Sequence, residues 1–253
     1  MTSIARTSAS PRSTAPVALI TGGAVRVGRT LSLGLARQGY DLLVNYHSSG
    51  AEARDLVQQV EKLGRRCVLA QADLSDVSAV DSVIEAVGRD YGRLDVLVNN
   101  ASIFGKGSLL ELEEAEWDRV MAVNLKVPFL LVKGLAELLG RDAGCVVNIV
   151  DLSAFEPWAD YPHHSVSKAG LLHLTRVMAR ALRSDVRVNA IAPGTVLPPE
   201  NYSEKKRKAE VADTLVGHLG SPEDVLSALL FLIRSTFVNG EVIVVDGGMR
   251  WGR

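Results

Sequence analysis

Three side chains of this sequence have the types and spacing needed to move a proton beside a bound molecule. Asp151 follows the apolar run Cys145-Val-Val-Asn-Ile-Val150, and His164 and Lys168 stand four residues apart in a stretch with helical periodicity. A spacing of four puts both side chains on one helix face, in reach of the same ligand. If the apolar run is a strand of a parallel sheet, Asp151 lies at its carboxyl end, where such sheets carry their reacting groups. A neutral imidazole is a poor acid, so donation from His164 needs the imidazolium, the protonated form of a group that titrates near neutrality. A neighbouring carboxylate favours that form and a neighbouring ammonium disfavours it. Asp151 and His164 therefore read as a pair that delivers a proton to a heteroatom. The alternative is a His164 that packs and hydrogen-bonds in a filled pocket. His163 and His173 read as solvent or packing residues.

A second constellation lies upstream, in Val17-Ala-Leu-Ile-Thr-Gly-Gly-Ala-Val-Arg-Val-Gly-Arg29. A short apolar run stops at Thr21-Gly22-Gly23, and a helical pattern of Val27, Leu31, Gly34 and Leu35 then runs to Gly39. A strand, a glycine turn and a helix N-terminus together form an anion site, because unpaired N–H groups and the positive dipole end face the turn. The expected occupant is a dinucleotide pyrophosphate. A tight strand-to-helix turn needs glycine for steric reasons as well, so the spacing alone carries either meaning.

The elements that position these groups alternate along the chain. Strands are expected at residues 17–20, 40–46, 66–70, 95–98, 145–150, 186–191 and 242–245, with helices at 51–63, 77–87, 116–139, 162–183 and 222–233 between them. That alternation predicts an α/β, single-domain Rossmann fold: a doubly wound parallel sheet of about seven strands with helices on both faces. Residues 1–15 hold Ser, Thr, Arg and Pro without an acid and read as a disordered tail ahead of a domain over 16–253. A targeting peptide shares that chemistry, but this stretch lacks an apolar face. Residues 197–220 read as a mobile excursion, the substrate lid. Its run Glu204-Lys205-Lys206-Arg207-Lys208 is either a solvated helix face or a seat for an anionic substrate tail.

Composition narrows the function. The 253 residues are 47% hydrophobic and 23% charged with a net charge of -1, which is globular and gives no electrostatic reason to expect nucleic acid or an anionic membrane. No apolar run approaches the roughly 20 residues of a membrane span. Cys67 and Cys145 are lone cysteines in strand-like runs, so core thiols in a reducing, cytoplasmic setting are expected, and no metal site.

The strand ends carry further polar residues. The second strand ends at Asn45, where an NAD-selective site places an acid, and Tyr46-His47-Ser48-Ser49 offers donors suited to the extra phosphate of NADP, or simply a polar turn. The paired Asn99-Asn100 after the fourth strand can tie neighbouring turns together. With these pieces added, the chain resembles a short-chain dehydrogenase/reductase over nearly all of its length after the tail. The matching segments are Thr21-Gly22 with Gly28, Asp73-Leu74, Asn99-Asn100-Ala101, Asn124, Ser167-Lys168-Ala169-Gly170, Asn189-Ala190, Pro193-Gly194 and Val245-Asp246-Gly247-Gly248.

Within that family the sequence most resembles pteridine reductases. Arg26 stands in place of the second glycine of the phosphate turn, Asp151 occupies the family's hydroxyl slot, and Asn100-Ala101-Ser102-Ile103-Phe104 resembles the loop whose phenylalanine covers a planar heterocycle. Ser48 replaces an arginine of that branch's NADPH segment, which implies a milder preference for NADPH over NADH. His164 departs from the family, whose proton donor is tyrosine; Tyr161 lies seven residues before Lys168, about one turn from the required place. The resemblance implies that Lys168 holds the nicotinamide ribose and that Asn124, twenty-seven residues before Asp151, holds a water leading from that lysine to solvent. By itself Asn124 reads as a satisfied core asparagine. The resemblance further implies that Gly22, Arg26, Val27, Gly28, Asp73, Leu74, Asn100, Ala101 and Ser102 line the dinucleotide, with Pro193, Gly194 and Val196 passing over the carboxamide. Arg26, Phe104 and Tyr161 are the expected substrate contacts, though Phe104 alone could be a loop aromatic capping the core. Taken together these features predict NADPH-dependent hydride transfer to a C=N or C=O of a pterin-like or other planar small molecule, by a homotetramer or homodimer. A 3-oxoacyl or ketone reductase is the alternative enzyme, and a weakly catalytic NADP(H)-binding sensor or assembly subunit the alternative of another class.

Overall fold

The computed structural model describes residues 13–198 and 202–252. Seven strands, β1 (Val17–Ile20), β2 (Asp41–Tyr46), β3 (Cys67–Gln71), β4 (Val96–Asn99), β5 (Gly144–Ile149), β6 (Val186–Pro193) and β7 (Val242–Val245), form one sheet in the order β3-β2-β1-β4-β5-β6-β7. Every pairing is parallel. Eight helices connect them: α1 (Arg26–Arg37), α2 (Gly50–Lys62), α3 (Val80–Asp90), α4 (Glu114–Met121), α5 (Val127–Gly140), α6 (Pro162–Leu182), α7 (Glu204–Asp213) and α8 (Pro222–Arg234).

Side-chain alternation along the strands makes two cores. Ala18 and Ile20 of β1 face Leu31 and Leu35 of α1 and Leu229 of α8, while Val17 and Leu19 face Val83 of α3 and Leu131 of α5. This is the period of two that a strand buried on both faces requires. The helices begin and end on identifiable signals. Gly39, at φ +92°, terminates α1, and Ser221 and Asp224 form a reciprocal capping box around Pro222 at the start of α8. Cys67 and Cys145 are free thiols whose burial pushes them up to about 12 and about 11, so neither is a ready nucleophile.

The order of strands creates the crevice. Ile20 pairs with Val44 of β2 on one side and with Val98 of β4 on the other, so the winding reverses at β1 and its carboxyl end opens between two sets of loops.

Three details differ from the sequence expectation or extend it. The helix expected over 116–139 is two helices, α4 and α5, joined by a π turn at Ala122–Lys126 that carries Asn124. Such an inserted residue breaks the regular bond ladder and re-aims a side chain. Of the expected tail, residues 1–12 lie outside the described residues, and the Ser13 N–H donates to the Tyr91 carbonyl at 2.9 Å. Of the expected lid, 199–201 lie outside the described residues; the rest contains α7, with no buried residue, and a return in which the N–H groups of Leu215 and Val216 share the Gly247 carbonyl.

Candidate active site

The site begins at the uncapped end of α1. Its N-cap, Val25, offers no side-chain acceptor and its first turn holds no acid. The Arg29 N–H makes the bond back to Val25, which leaves the N–H groups of Arg26, Val27 and Gly28 outside the helix ladder. They border a cavity of about 380 Å³ walled by Gly22, Val27, Gly28, Asn100, Pro193 and Val196. A Cβ on Gly28 would lie 2.2 Å from the Gly22 carbonyl oxygen, and Gly22 itself sits at φ +60°, so this turn accepts glycine at both places. Asn100 holds the turn rigid, its side-chain amide donating to the carbonyls of Thr21 and Gly22 at 2.9 and 3.1 Å.

Two further cavities adjoin the first through shared walls. Gly22, Ala101 and Ser102 continue into a space of about 170 Å³ bordered by Asn45, His47, Asp73, Leu74 and Arg119. Arg26 and Pro193 continue the other way, into about 390 Å³ bordered by Phe104, Asp151, Trp158 and Gly194. The result is one trench across the carboxyl ends of the strands. An uncapped helix N-terminus in its middle, apolar walls and a buried lysine near one end fit a nicotinamide dinucleotide, with room for a small substrate beyond it.

Most residues expected on the cofactor reach this trench, and a few do not. Tyr46, Ser48, Ser49 and Lys168 are not among its walls; Lys168 is buried behind it, and the Tyr46 hydroxyl turns to Gln71 Oε1 at 3.4 Å. Asn45 points inward instead, donating to the carbonyls of Ala70 and Ala72, both at 3.2 Å. His47 is the member of that segment that faces the cavity, 3.7 Å from Asp73 Oδ2. Arg26 takes a left-handed backbone, φ +51°, and its Nη2 donates to the Leu197 carbonyl at 2.7 Å, bridging the phosphate turn to the segment after β6.

The proton-moving groups converge as their spacing implied. His164 Nε2 lies 2.7 Å from Asp151 Oδ2, and its Nδ1 lies 3.1 Å from the Ile103 carbonyl. Nδ1 also lies 3.5 Å from Asn124 Nδ2, so it bonds either as donor to the carbonyl or as acceptor from the amide, and in both arrangements the Nε2 to Oδ2 contact holds a proton of its own. Asp151 Oδ1 is occupied by the Ser153 N–H and hydroxyl. Burial pushes the Asp151 carboxyl up, but the hydrogen bond from His164 and the Lys168 charge outweigh it and hold the group below its usual value. Lys168, from the same face of α6, donates to the Ile149 carbonyl at 2.9 Å. Burial holds its pKa below the usual lysine value, with Asp151 opposing. Asp151 is 23% exposed and borders the cavity, whereas His164 is 2% exposed and stands behind it.

Asn124 supports this cluster. It accepts from the Ile103 N–H at 2.8 Å and donates to the Ile103 carbonyl at 3.0 Å and to Ser167 Oγ at 3.0 Å. Its bonds therefore go to the loop and to α6; none reaches Lys168. His163, next to His164, faces elsewhere and is fully buried, 3.7 Å from Glu116 Oε1.

The aromatic side of the cavity is built from a cluster that sequence reasoning found in part. Phe104 packs edge-on to His164 at 4.7 Å and stacks on Tyr161 at 4.5 Å, so Tyr161 backs Phe104 and stays out of the cavity wall. Trp158, which the sequence reading missed, borders the cavity and stacks over His164 at 6.3 Å. Its signal was an aromatic between Asp151 and His164, in a stretch without periodicity. Glu156, Glu210 and Arg250 were also missed; they are distant in sequence and meet only in the fold.

The chain is similar to known proteins over most of its length. Residues 23–250 match a family model described as enoyl-(acyl carrier protein) reductase. The chain is 32% identical over 242 residues to 2-dehydro-3-deoxy-D-gluconate 5-dehydrogenase of Escherichia coli (strain K12), covering 92% of this chain and 94% of that one. The chain belongs to the short-chain dehydrogenase/reductase family. A 3-oxoacyl-[acyl-carrier-protein] reductase of Staphylococcus aureus (strain N315) is 31% identical over 238 residues, covering 92% of this chain and 97% of that relative. The crystal structure of a dehydrogenase/reductase from Sinorhizobium meliloti 1021 superposes with a TM-score of 0.86 at 31% identity, over 92% of this chain and 94% of that one. As a short-chain dehydrogenase/reductase the protein is an NAD(P)-dependent oxidoreductase with a single Rossmann-like domain. Among the described residues no helix is long and apolar enough to cross a membrane.

Proposed function

We propose that the protein reduces a C=N or C=O bond of a planar, pterin-like small molecule with NADPH, with Asp151, His164 and Lys168 as the reacting cluster. The observation that carries this reading is the 2.7 Å contact between His164 Nε2 and Asp151 Oδ2 at the edge of an aromatic-walled cavity. When bound, the reduced nicotinamide supplies the hydride. The protein supplies the proton: it rests between Nε2 and Oδ2, and Asp151 is the exposed end from which it leaves toward the reduced heteroatom. Lys168 keeps two of its three hydrogens for the nicotinamide ribose, the third being held by Ile149. Phe104 and Trp158 exclude water and offer faces for a flat ring. Asn124 fixes the loop that carries Phe104.

Preference for NADPH is supported by the absence of an acid at the end of β2 and by His47 on the cavity side, where a 2′-phosphate gains a cationic partner when the imidazole is protonated. Phe129 on α5 and Val166 and Val177 on α6 are exposed apolar residues, which supports self-association as a homodimer or homotetramer through the long helices.

A second reading, reduction of a ketone in a polar or acidic molecule, is favoured by Arg250, Glu156 and Glu210 in the same cavity and by the names of the relatives. NADPH oxidation with dihydropterins, quinonoid pterins and small diketones separates the readings. Turnover with pterins and its loss in His164→Ala supports the first, turnover with diketones alone supports the second, and nucleotide binding without any oxidation indicates a sensor.

A further inference from the structure

The cavity beside Asp151 has a polar end that the proton-transfer cluster leaves unused. Arg250 lies in the 3-10 turn Met249–Trp251 that follows β7. Its guanidinium carbon sits 4.6 Å from the centroid of the Phe155 ring and 4.7 Å from that of Trp251, and its backbone N–H donates to Asp246 Oδ2 at 3.0 Å. Stem and head are therefore fixed before any ligand arrives. Arg250 Nε is nevertheless buried without a hydrogen-bond partner. In the same cavity Glu210 of α7 accepts from the Tyr202 hydroxyl through Oε1 and keeps Oε2 buried with no donor.

Two buried polar atoms of opposite character, both unpartnered in one cavity, are costly unless a ligand satisfies them. The other charges there are already engaged or set apart. Asp151 is balanced by His164 and Lys168, and Arg26 is bound to Leu197. Glu156 borders the cavity and repels an acid, which leaves the seat for an anion at Arg250. A planar guanidinium matches a planar carboxylate through paired N–H donors, and a free carboxylate oxygen requires a hydroxyl or amino hydrogen.

We infer that Arg250 is a specificity-determining residue that takes a carboxylate of the substrate, with Glu210 receiving a hydroxyl or amino hydrogen beside it. The substrate is then a carboxylic acid that also carries the reducible C=O or C=N. This rests on the reductase reading above and adds the acid to it.

The test pairs benzoylformate with its methyl ester as substrates for the full chain and NADPH. The wild type is expected to favour the acid in kcat/KM, and Arg250→Gln to shrink the acid-to-ester ratio by about ten-fold or more, chiefly through KM. Arg250→Lys, which keeps the charge and loses the fork, is expected to retain part of the ratio. A wild-type ratio of one or less, or a ratio unchanged in Arg250→Gln, overturns the inference and leaves the reductase reading standing. Melting temperature with NADP+ and millimolar benzoate or benzamide gives a readout independent of turnover. Stabilisation by benzoate alone, absent in Arg250→Gln, supports the anion seat even if neither ketone is reduced; equal stabilisation by benzamide, or its persistence in Arg250→Gln, overturns it.

Discussion

Single residues set both the chemistry and its cost. His164 shares a proton with Asp151, and the hydrogen on the Nε2 to Oδ2 contact is available only while the pair holds it. His164→Ala is therefore expected to lower kcat by about 100-fold or more. Steady-state kinetics of both proteins check this, and an unchanged kcat in the variant would exclude the role. Arg26 illustrates the opposite trade. Its left-handed backbone favours glycine, yet its guanidinium holds the Leu197 carbonyl across the trench. Arg26→Gly is expected to leave the fold equally stable or up to about 1 kcal/mol more stable. The same change should raise the substrate KM several-fold by freeing the segment after β6. Thermal melts read alongside steady-state kinetics would show the two effects moving apart.

At the scale of elements, the π turn and the end of α1 do the positioning. Asn124 reaches the Ile103 backbone because the turn at Ala122–Lys126 re-aims it, and its removal strands a buried N–H and carbonyl. Asn124→Ala is expected to cost about 2 to 4 kcal/mol in urea unfolding and to impair turnover even where the chain remains folded. Gly28→Ala forces a methyl against the Gly22 carbonyl, and the expected result is loss of the rise in melting temperature that a nicotinamide dinucleotide is expected to give the wild type. These elements were legible in the sequence to different degrees. The β1 to α1 turn was readable because its glycines and apolar run are local, and His164 with Lys168 because a four-residue spacing survives any tertiary arrangement. The π turn was hidden, since nothing in Met121-Ala-Val-Asn-Leu125 marks an extra residue in a helix. Tyr46, Ser48 and Ser49 were placed by analogy with a segment, and the way Asn45 and Tyr46 turn in space is decided by partners on β3 that a linear pattern does not reveal. Arg250 and Glu210 belong together only through the fold.

For the molecule as a whole, the buried ion cluster links activity to stability. The Asp151 carboxyl is held below its ordinary range, so its stabilising contribution is present above that range and is lost as pH falls through the depressed value. Lys168 is also depressed, chiefly by burial, so the fold gains stability as pH rises from the depressed value toward 10.5. Asp151→Asn is expected to remove the acid-side loss and to enlarge the alkaline gain, because Lys168 then lacks its counter-charge; melting temperature across pH for both proteins measures it. The strand order has a different consequence for how the enzyme comes into being. β1 is made early but lies between β2 and β4, and the trench also needs Pro193 at the end of β6 and Arg250 after β7. Contacts so far apart along the chain form slowly. A polypeptide that has formed only β1 and α1 has its phosphate turn but no wall opposite it, so nucleotide capture must wait for β6 and β7 to join the sheet, and the half of the chain that carries the turn cannot alone be a partial catalyst.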